Sequence, residues 1–150
     1  TPTPPPTRRG GGGGAPAEPW GGGGGAPPAG APPRYRVTID GEEHAHTGYT
    51  VVVANSGYYG SGRVIAPDAR VDDGLLDVVM IEDAPRRLFF ALMNDLRTGA
   101  HVHRPQVRME RGREIRVAAD RDVPYGADGE VDALLPVTLR VLPGALRVLC

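Results

Sequence analysis

The runs TVVVANS (residues 50–56) and GLLDVVMIED (residues 74–83) are apolar at successive positions rather than at every second one. A strand with one wet face alternates, so runs this continuous read as buried strands, and both are far too short to cross a membrane. The neighbouring segments read as further strands. RYRVTIDGEEHAH alternates Tyr35, Val37 and Ile39 up to an Asp40-Gly41 pair, the chemistry of a tight hairpin turn. QVRME, EIRVAAD, PVTLRVL and ALRVL follow, separated by Gly or Pro turns. Only DAPRRLFFALMNDLRTG has a helical period, with Leu88, Leu92 and Leu96 on one stripe. The spacing predicts a helix over residues 83–98, capped by Asp83, with Pro85 in its first turn and Gly99 at its end. Many short strands with a lone helix predict a mainly β fold, an antiparallel β-sandwich-like domain rather than a βαβ unit.

Residues 1–33 read differently. They hold 11 of the 22 glycines and 10 of the 16 prolines, and Trp20 is their single large apolar side chain. Such a segment buries too little surface to offset its ordering entropy, so it is expected to be a disordered Pro/Gly-rich tail ahead of a domain at residues 34–150. Its glycine runs are flanked by proline, and the chain contains no lysine, so they do not read as a phosphate-cradling P-loop. The chain starts inside this tract without Met and reads as part of a longer protein.

Seventeen arginines face eighteen acidic residues, a balance that argues against nucleic acid as a partner held by bulk charge. The one cysteine, Cys150, has no partner for an internal bridge, which fits a reducing, cytoplasmic setting.

Two acidic turns could carry chemistry. VIAPDARVDDGLLDVVMI sets Asp68, Asp72 and Asp73 between two apolar runs. Mg²⁺ takes oxygen ligands, typically one or two carboxylates with carbonyls and water, and Gly74 would let the backbone turn its carbonyls inward. Plain turn chemistry is the competing reading. In PYGADGEVDA, Asp128 and Glu130 flank Gly129. Adjacent acids raise one another's pKa, which can turn one into a proton acceptor near neutral pH; a hairpin turn is again the alternative. The pairs His44/His46 and His101/His103 would each share a strand face, but neither has a third ligand nearby in sequence, and they read as surface or packing residues.

In order, Asn55-Ser56-Gly57-Tyr58-Tyr59-Gly60, Ala66-Pro67-Asp68-Ala69, Asp73-Gly74-Leu75-Leu76-Asp77, a helix and a late Asp128-Gly129-Glu130 resemble the C-terminal domain of the bacterial diacylglycerol kinase family. That family of lipid kinases is related to sphingosine kinases and more distantly to NAD kinases. The resemblance implies a two-domain enzyme in which this β-rich part completes the active site of an N-terminal nucleotide-binding domain. It implies Mg²⁺ held by the Asp73 carboxylate with the carbonyls of Arg70 and Leu75, Glu130 as proton acceptor for the lipid hydroxyl, and Asp128 with Gly129 near the nucleotide phosphates. ATP and a lipid such as diacylglycerol would be the substrates, with the nucleotide-binding domain supplied in cis or in trans and peripheral membrane contact compatible with a lipid acceptor. Two departures stand out. Ser61 occupies a place where the family has glycine, and the family's Gly-Gly-Asp-Gly-Thr nucleotide loop is absent from the sequence. The chain is therefore expected to be inactive alone. The competing class is a non-catalytic β-sandwich that docks onto a partner.

Overall fold

The computed structural model describes residues 30–60, 62–127 and 130–147, with the backbone alone at residues 131 and 132. Its spine is a set of antiparallel strands: β1 (Arg34–Ile39), β2 (Glu42–Ala54), β5 (Leu76–Glu82), β6 (Val107–Gly112), β7 (Glu114–Ala119) and β10 (Val137–Arg140). They hydrogen-bond in the order β10-β7-β1-β2-β5-β6. Two small ribbons stand apart, β3 (Tyr58–Tyr59) with β4 (Arg63–Val64), and β8 (Pro124–Ala127) with β9 (Glu130–Leu134).

The fold turns on β2. The sequence suggests two strands here, a hairpin arm and the separate run TVVVANS. The chain instead runs through as one strand, whose first half pairs with β1 and whose second half pairs with β5. A register shift between Gly48 and Thr50 marks the bend. Gly48 makes it feasible: a Cβ there would lie 2.2 Å from the Ile81 carbonyl oxygen, so only a residue without a side chain admits this approach. Strands that bend at bulges pass from one sheet to the other, and the two halves close into a sandwich. Its interior joins Tyr35, Val37 and Ile39 of β1 and Ile115 and Val117 of β7 to Leu76, Val78 and Met80 of β5.

The other face of β5 is covered too, which explains why Val78–Ile81 are apolar at successive positions. Val79 and Ile81 pack with Val107 beneath Leu92 of α1 (Arg86–Asp95) and Leu96 at its C-terminal cap, and with Ile65 and Ala66. The predicted leucine stripe is thus the docking face, with Leu92 fully buried and Leu88 at its margin. The helix is shorter than predicted. It starts after Pro85, whose extended backbone (ψ 148°) occupies the cap position, and no side chain caps it; Asp83 lies two residues too early. Tyr49 secures this entry by donating to the Ala84 carbonyl at 2.6 Å and packing its ring at a tilt against Phe89. At the far end Gly99 has φ +81°, and a Cβ there would sit 2.8 Å from Pro67.

The Asp40-Gly41 turn forms as the sequence indicates, with φ +49° and +89°, both in the left-handed region that this turn demands. Residues 145–147, part of the ALRVL run read as a strand from the sequence, are exposed and not in a strand. No helix of the described residues is long and apolar enough to cross a membrane. Residues 1–29 of the Pro/Gly tract lie outside the described residues; residues 31 and 32 offer carbonyl oxygens to the Arg121 guanidinium.

Candidate active site

The acidic stretch between β4 and β5 is built as a short loop held at both ends. At its start, Ile65 and Ala66 are buried, and the N–H groups of both donate to the Gly57 carbonyl. At its end, Asp73 Oδ1 accepts the Leu75 N–H at 2.9 Å across Gly74, whose φ is +73°. This is an Asx turn: the aspartate mimics a backbone acceptor and fixes Leu75 beside its own carboxylate. Asp72 is engaged by Arg70, at 3.4 Å between two well-exposed side chains. So the three predicted metal-site residues, Arg70, Asp73 and Leu75, occupy one tight turn. Asp73 Oδ1 is committed to Leu75. Among the described residues no three His, Cys, Asp or Glu side chains converge, so a cation here would rest on one carboxylate and backbone oxygens. That all-oxygen set is the chemistry of a hard cation such as Mg²⁺ with water completing its shell.

Beneath this loop lies a feature the sequence reading did not assign. Asp77 is the one acid in the buried stretch of β5, and its side chain is only 3% exposed. Its Oδ1 accepts Arg111 Nε from β6 at 2.7 Å, while Oδ2 is buried without a partner. Arg111 Nη2 also donates to the Asp68 carbonyl. One guanidinium therefore ties the loop to the sheet floor. The hydrogen bond to Asp77, then its charge, then the charges of Asp73 and Asp68 hold Arg111 even more firmly protonated than usual. The signal was present in LLDVVMI: a carboxylate inside a buried strand needs a cation, although nothing local names Arg111, 34 residues away.

The second acidic segment lies between β8 and β9 in sequence. Ala127 pairs with Glu130, and Glu130 is exposed at the start of β9. Asp128 and Gly129 lie outside the described residues, as does Ser61. The strands that flank this segment, β8 and β9, pair antiparallel with a register shift between Tyr125 and Gly126. Among the described residues no hydrogen bond or ion pair joins Glu130 to the Asp73 turn. The first Asp-Gly-Glu triplet is a structural hairpin: Asp40 Oδ1 accepts the backbone N–H groups of Arg113 and Glu114.

The histidines do not form a metal pair. His46 is buried and stacks on Tyr35 with ring centroids 5.8 Å apart. His101 and His103 fall in a 3-10 turn, Ala100–His103, and not on a strand, because Gly99 turns the chain there. His101 Nε2 donates to the Ile65 carbonyl at 2.8 Å, bracing the start of the aspartate loop. Burial pushes the pKa of both His46 and His101 below the usual histidine value.

A family model described as the YegS C-terminal NAD kinase beta sandwich-like domain matches residues 30–150. The chain belongs to this family. Among curated relatives of this family member, a diacylglycerol kinase of Mycobacterium tuberculosis (strain CDC 1551 / Oshkosh) is 33% identical over 119 residues, covering 79% of the chain and 38% of the relative. A diacylglycerol kinase of Staphylococcus carnosus (strain TM300) is 28% identical over 84 residues, covering 56% of the chain and 28% of the relative. A solved structure of a diacylglycerol kinase from Bacillus anthracis str. Sterne superposes with a TM-score of 0.63 at 20% identity, over 75% of this chain and 39% of that one, which is a likeness of fold. The sandwich is thus a C-terminal domain of a lipid-kinase family, and it spans 38% of the length of the M. tuberculosis relative.

Proposed function

We propose that the chain is the C-terminal part of an ATP-dependent lipid kinase that moves the γ-phosphate of ATP to the hydroxyl of diacylglycerol or a similar lipid. The observation that carries this reading is the family match over residues 30–150 together with relatives named diacylglycerol kinase. The site residues support it chemically. Phosphoryl transfer needs positioning, positive charge against the phosphates, and a group to take the proton from the attacking hydroxyl. Glu130, exposed at the start of β9, is free to reach a substrate hydroxyl and accept its proton as the oxygen bonds to phosphorus and ADP leaves. Asp128 and Gly129, which precede Glu130 in sequence, would act near the nucleotide phosphates, as the family resemblance implies. The Asp73 carboxylate with the Arg70 and Leu75 carbonyls would hold Mg²⁺, which would supply fixed positive charge and brace the turn. Arg111 keeps the loop seated on Asp77.

The phosphate-binding loop would come from an N-terminal nucleotide-binding domain, in cis or in trans, so the 150-residue chain is inactive by itself. Peripheral contact with a membrane, in the cytoplasm, would deliver the lipid. The test is direct. The chain joined to an N-terminal nucleotide-binding domain of this family is assayed for transfer of labelled phosphate from ATP to diacylglycerol, beside the chain alone. Transfer by the joined protein only is expected. Absence of transfer to any lipid hydroxyl by a folded, ATP-binding joined protein would leave the chain as a non-catalytic docking module.

A further inference from the structure

The outer face of α1 has a composition that its packing does not explain. Leu88, Leu92 and Leu96 face the core, so Arg86, Arg87, Phe90, Asn94 and Arg97 line the solvent side. Phe90 is 70% exposed, where a surface helix would ordinarily carry a polar residue. The only acid within the helix, Asp95, is already paired with Arg104. Beside the helix, Arg63 of β4 joins Met93 and Arg97 in lining a groove of about 420 Å³. Tyr59 stands opposite Arg63 in the ribbon register and is 57% exposed; its neighbour Tyr58 is 73% exposed.

The distribution of ion pairs sharpens this. Eight arginines of the described residues are in salt bridges, at Arg34, Arg36, Arg70, Arg104, Arg108, Arg111, Arg121 and Arg140. Seven described arginines are in none: Arg63, Arg86, Arg87 and Arg97 lie on or beside α1, and the others are Arg113, Arg116 and Arg147, in a chain that is almost neutral overall. Glu82 and Asp83 are exposed just ahead of the helix and bound the basic patch at that end. Exposed aromatics set among unpaired arginines suit a bilayer interface: the rings enter the headgroup boundary while the guanidinium groups meet anionic lipid.

We propose that the outer face of α1, with Tyr58, Tyr59 and Arg63 of the β3–β4 ribbon, is the surface by which this domain seats on an anionic lipid bilayer. The choice of a bilayer rests on the lipid-kinase reading, but the contact is measured without phosphoryl transfer, so the two can fail separately. The experiment is flotation of the full chain with vesicles of phosphatidylcholine alone and of phosphatidylcholine mixed with phosphatidylglycerol, at low and high salt. Binding to the mixed vesicles, weakened by salt, is expected. Each arginine near an anionic surface is worth about fivefold in partitioning, so Arg86→Gln/Arg87→Gln/Arg97→Gln should lose on the order of a hundredfold. Phe90→Ser should lose several-fold and remove the part that survives high salt. Two controls, Arg113→Gln/Arg116→Gln on the sheet and Arg8→Gln/Arg9→Gln in the Pro/Gly tract, should bind as the parent does; circular dichroism checks that all variants are folded. Absence of binding to the mixed vesicles, or an equal loss in either control, would overturn the proposal. So would equally tight binding to soluble heparin with no dependence on Phe90, which would mark a general polyanion surface.

Discussion

Replacing Arg111 by methionine tests whether the Asp77–Arg111 pair holds the aspartate loop. The substitution keeps much of the aliphatic stem and removes the guanidinium. Asp77 then loses its 2.7 Å partner at Oδ1 while Oδ2 already has none, leaving a carboxylate that is 3% exposed with no cation. Breaking a fully buried pair costs about 3–5 kcal/mol. The Arg111 side chain is 40% exposed, so water can approach from its side and the low end applies, roughly 2–3 kcal/mol. For a folded unit of this size that corresponds to a melting point lower by about 10 °C. Urea titration of the parent, Arg111→Met, Asp77→Leu and the double variant closes a cycle. Removing the stranded charge should rescue the arginine variant, so the double variant should be more stable than Arg111→Met alone. The coupling should be about 1.5–3 kcal/mol, as expected for residues in direct contact. Additive single effects, or an Arg111→Met cost below about 0.5 kcal/mol, the range of an ordinary surface change, would refute the clamp.

Three further outcomes follow from the geometry. Gly48→Ala should destabilise by roughly 3 kcal/mol or more, the upper end for overpacking, because its Cβ would meet backbone at Ile81; Gly41→Ala, with open space but φ +89°, should cost only about 1–2 kcal/mol by the same titration. His46 and His101 have folded pKa values below the unfolded 6.5, so the unfolded chain takes up protons first as pH falls. Their stabilisation is complete above that value and drains away as pH drops through the lowered folded values; melting curves from neutral to mildly acidic pH should show the loss, and His46→Phe should lessen it. In the joined two-domain protein, Asp73→Asn should raise the Mg²⁺ concentration needed for activity and reduce thermal stabilisation by added Mg²⁺; parent-like values of both would remove the metal assignment.

Local chemistry explains which parts of this fold can be read from the chain. The Asp40-Gly41 turn, the buried β5 and the leucine stripe of α1 each depend on neighbours in sequence, and each stands where those residues place it. Departures arise where tertiary contacts decide. Gly48 looks like a strand end, yet it is the bend that lets one strand serve two sheets, because the deciding contact is with Ile81. Asp83 looks like a cap, but the fixed backbone of Pro85 takes that position. The Asp73 segment was legible as a turn, but the hydrogen bond that makes it an Asx turn, from Leu75 N–H to the Asp73 carboxylate, was not. The Arg111 clamp beneath it was not, because only the β5–β6 register brings it to Asp77. The Tyr59–Arg63 ribbon is likewise too short for an alternation pattern to reveal.

Under the proposed function, this domain supplies the group that takes the proton from a lipid hydroxyl. In the joined protein, labelled phosphate transfer from ATP to diacylglycerol is measured for Glu130→Gln and for Glu42→Gln, which alters the other Asp-Gly-Glu triplet. Loss of a general base costs about 10²–10⁴ in rate. Glu130→Gln should therefore lower turnover by that order with ATP binding retained, and Glu42→Gln should stay near the parent. A fully active Glu130→Gln, or equal losses in the two variants, would contradict it.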